Sequence, residues 1–81
     1  MANTMTLGDH AQRIFDSLAS AKTTYKLRLA KEHWLGYILA LIDMGQIIPR
    51  EYQWLLRCID AWHLGDTKPR FSPPTPSQPD T

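Results

Sequence analysis

The residues of this chain that can do chemistry are few. His10, His33, His63 and Cys58 supply all its imidazole and thiol groups. Two ligands share one helix face when they stand four apart, and no pair here does; there is no CxxC or HExxH either. The glycines at 8, 36, 45 and 65 are isolated, so no loop is built to cradle a phosphate. The sequence therefore assigns no catalytic residue, no metal and no cofactor, and it reads as that of a non-enzyme. The histidines are expected at the surface or at helix ends. Cys58 is expected to act as a small buried hydrophobe.

Recognition chemistry is better represented. Lys22, Lys26, Arg28 and Lys31 form a basic run with no acid between them. Such a run is either a solvated helix start or a patch for an acidic partner. Cations at a helix N-terminus oppose the macrodipole, which favours a task other than stability. Arg28 is the strongest candidate contact, because guanidinium pairs with carboxylate in two parallel hydrogen bonds. Six large amphipathic aromatics, Tyr25, Trp34, Tyr37, Tyr52, Trp54 and Trp62, are expected mostly in the core. Tyr37 and Trp54 fall off the main stripes and are the better surface candidates.

Three helices must position these groups. In "TLGDHAQRIFDSLASA", Thr6 can cap and Asp9 gives an acidic first turn. Leu7, Ala11, Ile14, Phe15 and Leu18 then share one face. In "TTYKLRLAKEHW" the alternation of Tyr25, Leu27 and Leu29 is strand-like, but a lone strand has nothing to pair with. Leu27, Ala30, Trp34, Ile38 and Leu41 continue at helical spacing, which predicts a helix from about Thr24 to Met44. Thr23 or Thr24 is its cap and Gly45 its left-handed stop. Pro49 suits the first turn of a third helix carrying Tyr52, Leu55, Leu56, Ile59 and Trp62 on one face, with Gly65 as its end. The short "GQII" connection makes helices two and three an antiparallel hairpin. The fold class is all-α.

The stretch "WLGYILALIDMG", Trp34 to Gly45, is apolar nearly all the way round. Trp34, Ile38 and Leu41 belong to the stripe. Leu35 and Leu39 lie on one flank and Tyr37 on the other. The third helix repeats the excess in Trp54, Cys58 and Ala61. Either a three-helix core absorbs all of these, or Leu35, Tyr37, Leu39 and Trp54 form a second interface. The size of the chain favours the second, with a homodimer as the simplest form. Residues 66–81 hold five of the six prolines and read as a disordered tail, leaving residues 1–65 as the helical domain. A domain this small buries only roughly 60% of its unfolded surface. One cysteine allows no internal disulfide, so oligomerisation is the remaining staple. The tail's "SPPTP" is similar to a polyproline ligand, though such ends more often solubilise.

A formal charge of +1 makes no global demand for nucleic acid or membrane. The opening residues lack the apolar region of a signal peptide, and a reducing cytoplasm is the expected compartment. The "AQRIFDSLA" helix and the "LIDMGQIIPREYQWLLRCIDAWHLG" hairpin end give the chain a format over residues 6–65. In that format it resembles small helical early proteins of temperate phages, the anti-activators of quorum sensing and, more loosely, helical anti-CRISPR proteins. The resemblance carries over no individual residue. It implies a helical hairpin that occludes a site on a host regulator or motor. The expected function is thus a non-enzymatic protein-binding inhibitor of a host protein, with Arg28, Lys31, Leu35, Tyr37, Leu39 and Trp54 as contact residues. The alternative is a small DNA-binding regulator of helix-turn-helix type, since "MGQIIPREY" is a short Gly-containing turn. Against it, the third helix balances Arg50 and Arg57 with Glu51 and Asp60, which is not the charge of a recognition helix.

Overall fold

The structure is a computed structural model and describes residues 5–74. Three helices, α1 (Leu7–Ser20), α2 (Thr24–Asp43) and α3 (Pro49–Asp60), form the framework, and the described residues contain no strand. Each boundary has a local cause. The Thr6 hydroxyl accepts from the Asp9 N–H at 3.1 Å, and the Asp9 carboxylate accepts from the Thr6 N–H at 3.1 Å. This reciprocal box satisfies donors that a first turn leaves unpaired. Thr23 caps α2 by accepting from the Lys26 N–H at 3.1 Å. Pro49 opens α3, and Glu51 accepts from the Ile48 N–H at 3.0 Å.

The turn from α2 to α3 follows from one residue. Gly45 has φ +73°, a region closed to most side chains. Its N–H donates to the Ile42 carbonyl, and the Gln46 N–H donates to the Leu41 carbonyl at 2.8 Å. These two bonds make a Schellman stop. The chain reverses, Ile47 is buried, and α3 packs back along α2 as the expected antiparallel hairpin.

α3 ends earlier than the sequence suggests. Its last helical residue is Asp60, not one near Gly65. The Trp62 N–H donates to the Ile59 carbonyl, a tighter turn than an α-helix makes. That turn carries Trp62 inward, where it is fully buried. Gly65, at φ +95°, belongs to the following turn.

The core lies where the three helices meet. Ile14, Leu18, Ile38, Leu55, Ile59 and Trp62 are fully buried. Phe15 stacks on Trp62 at 5.5 Å and meets Trp54 edge-on at 5.7 Å. The expected α2 stripe is present, with Leu27, Trp34, Ile38 and Leu41 buried and Ala30 half-buried. Tyr25 departs from expectation: it is 62% exposed, because it lies on the side of α2 opposite the buried Leu27.

Of the segment read as a tail, residues 66–74 lack regular secondary structure, and residues 75–81 lie outside the described residues, as does the end of "SPPTP". Within it, Phe71 is half-buried against α3. The Arg57 guanidinium sits 4.4 Å from the Phe71 ring centroid. Asp66 accepts from the His63 N–H at 2.7 Å and pairs with Arg70 at 3.3 Å. The His63 N–H, aided by Arg70, holds the Asp66 carboxyl below the usual carboxylate range.

Candidate partner-docking surface

Arg28, Lys31, Leu35 and Leu39 recur at i, i+3, i+7 and i+11, so they form one line along α2. The Lys31 ammonium donates to the Asp60 carbonyl at 3.1 Å, which fixes that line beside the C-terminal end of α3. Lys31 therefore has an internal task, because it satisfies an orphan carbonyl where the helix dipole is negative. Leu35 is half-buried against the core. Leu39 is 53% exposed, and Arg28 is exposed. Among the described residues the ion pair present is Arg70–Asp66, so the Arg28 guanidinium is held by no carboxylate there. A shallow groove of about 260 Å³ lies at this end, lined by Thr24, Leu27, Arg28 and Lys31. Chemically, the flank offers one unpaired guanidinium beside an apolar strip.

Tyr37 and Trp54 do not join it. Tyr37 was expected at the surface, but it stands on the opposite flank of α2, facing α1. Its hydroxyl lies 2.8 Å from His10 Nδ1, and its ring meets Trp34 edge-on at 4.9 Å. Trp34 in turn donates its indole N–H to the Ser17 hydroxyl at 2.9 Å. These polar pairs tie α1 to α2, so Tyr37 is a seam residue. Trp54 is buried beneath Phe15 and Phe71, and its indole N–H donates to the Phe71 carbonyl at 2.9 Å. Trp54 is therefore no surface contact: a strip expected to be spare on α3 is covered by the chain's own following segment.

His10 stands in the first turn of α1, at a helix end as expected, but inside rather than in solvent. It is only 5% exposed. Burial, with Arg13 nearby, pushes its pKa down, against a smaller upward pull from Asp9. Its Nε2 has no partner among the described residues, which the neutral Nε2 acceptor tolerates better than an imidazolium does. Cys58 is fully buried as expected, and burial pushes its thiol up, away from the reactive thiolate. Among the described residues no three His, Cys, Asp or Glu side chains stand close enough to hold a metal ion, and no helix is long and apolar enough to cross a membrane.

Sequence reasoning missed the outward face of α2. Tyr25, Leu29, Gly36, Leu39 and Ala40 are all exposed and fall within one side of the helix. The signal was present in the i, i+4 pair Tyr25–Leu29. It was obscured by the alternating, strand-like pattern around it. No protein-family model matches the chain, and no curated protein or solved structure is significantly similar to it.

Proposed function

We propose that this chain is a non-enzymatic protein-binding module of phage or mobile-element origin. It docks on a host regulator or motor protein in the cytoplasm through its helical hairpin and modulates that protein. The observation that carries the reading is the flank of α2 beside α3. Leu39 stays more than half exposed there, in line with an Arg28 that no carboxylate among the described residues pairs with, while most other large apolar residues are inside. A guanidinium at the end of an apolar strip suits a partner helix or loop that presents a carboxylate beside leucine-sized side chains. Tyr37 and Trp54 have internal partners and leave the contact set. Arg28, Leu35 and Leu39 remain, with Lys31 as the residue that holds the flank against α3.

The test is affinity capture from a bacterial lysate with the tagged chain and its Arg28→Ala and Leu39→Ala variants. A specific protein is expected with the parent chain, and each substitution is expected to weaken its capture by roughly fivefold or more, the loss typical of a contact that matters. Helicity by circular dichroism should stay constant, since both side chains are exposed. Equal capture by all three chains would remove this flank from the function. A parallel titration with duplex DNA at low salt tests the regulator alternative, and no retardation is expected.

A further inference from the structure

We infer that the outward face of α2 is the contact between two copies of this chain, packed antiparallel. The inference deepens the preceding reading and rests on its view of α2 as an interaction helix, but it concerns the adjoining, outward side of that helix, with Leu39 at the border of the two. Three observations carry it.

The first is uncovered apolar surface. Tyr25 is 62% exposed and Leu29 47% exposed, one turn apart, and beyond the exposed Glu32, which lies on the same side, Leu39 and Ala40 continue it toward the C-terminus. Two apolar patches on one side of a helix, separated by a single charged turn, offer surface to a contact.

The second is Gly36. It stands in mid-helix, where glycine is the least favourable residue after proline. A side chain built there would meet nothing within 4 Å, and its backbone is not left-handed. The monomer thus gives no steric or conformational reason for it. Close approach of a second helix does, because an absent side chain lets two backbones draw together.

The third is charge, and it selects both the occupant and the orientation. α1 has Asp9 in its first turn, and α3 has Glu51 in its first turn and Arg57 in its last. α2 has no acid in its first turn and no base in its last. Instead Lys26 and Arg28 stand exposed near its start and Asp43 near its end. Along its own axis α2 is therefore charged against its dipole. A second α2 lying antiparallel corrects both ends at once. It brings Asp43 of one copy to the basic end of the other, and two-fold symmetry repeats the exchange. A parallel copy would set the basic ends together and the acidic ends together. In the antiparallel register centred near Trp34, Tyr25 faces the partner copy's Asp43 and Leu29 faces its Leu39.

Sedimentation velocity of the full chain at tens of micromolar, in low salt, tests the association. A dimer is expected, weakening as salt rises. A monomer at that concentration overturns the inference. Gly36→Glu tests the surface. It fills open space and improves helix propensity, so circular dichroism should show undiminished helicity, while the dimer dissociates at concentrations at least about tenfold higher. A Gly36→Glu dimer of unchanged strength overturns the assignment to this face. Oxidative cross-linking of an equal mixture of Tyr25→Cys and Asp43→Cys chains tests orientation, with Cys58 buried and out of reach. Mixed disulfides are expected to dominate. Predominant like-with-like disulfides would overturn the antiparallel arrangement. Host capture is read separately: Leu35→Ala, outside the dimer face, should weaken target capture and keep the dimer, whereas loss of both would merge the two surfaces into one.

Discussion

α2 and α3 lie side by side and both carry more apolar surface than a simple hairpin needs, yet they dispose of it differently. α3 buries two adjoining strips. Leu55 and Ile59 face the other helices, and Trp54 and Cys58 are closed off by Phe15 and Phe71. Its ends are matched to its dipole by Glu51 and Arg57. α2 buries one strip, ties one flank to α1 through Tyr37 and the other to α3 through Lys31, and leaves the rest in water. Its ends are unmatched. An apolar surplus is therefore no evidence of a partner by itself. It becomes evidence where the chain's own irregular segments fail to reach it and where the charges around it are also unsatisfied.

The contrast can be broken by substitution. The largest effect is expected inside α3. Leu55→Ala removes a fully buried side chain and should lower stability by about 2–5 kcal/mol in urea denaturation. A loss below 1 kcal/mol would mean that α3 is packed more loosely than described. Next comes the cover on α3. Phe71→Ala should cost about 1–3 kcal/mol, less than a full aromatic deletion because Phe71 is half-buried. It should also speed thiol labelling of Cys58 and shift tryptophan emission to longer wavelength. Unchanged labelling would show that Phe71 shields nothing.

The seam between α1 and α2 gives a pH-dependent effect. The folded-state pKa of His10 lies below its unfolded value, so the unfolded chain binds more protons between the two. Stability from this group is complete above the unfolded value of about 6.5 and is lost as pH falls through the folded one. Thermal melts from pH 7.5 downward should show a declining midpoint, and His10→Gln should flatten that decline. An equally steep decline in the variant would place the sensitive group elsewhere. The smallest effect is expected on the outward face of α2. Leu29→Ser should change the stability of the dilute, monomeric chain by no more than about 0.5 kcal/mol. A loss beyond 1 kcal/mol under those conditions would make Leu29 part of the core and end the contrast.

What could be read in advance was local. Thr6 with Asp9, Thr23, Gly45 and Pro49 with Glu51 set their boundaries through neighbours within five residues, and the α2 stripe followed from spacing alone. What could not be read was who covers whom. Tyr37 meets His10 from 27 residues away, Lys31 reaches the Asp60 carbonyl across 29, and Trp54 is roofed by Phe71, 17 residues on in an irregular segment. Periodicity names a face but does not name its cover. The end of α3 was misread because Gly65 is a sound stop signal, while the inward pull on Trp62 acts three residues before the helix could use it.

The reversal at Gly45 also governs time. Because it joins α2 to α3 through a few residues, the most extensive helix pairing in the molecule joins segments that are neighbours in sequence. Little chain entropy has to be lost before that pairing begins to repay it. Domains dominated by such near-neighbour contacts fold in microseconds to milliseconds. A nascent chain can therefore close the hairpin, and begin to shelter Ile38 and Leu41, as soon as α3 has emerged.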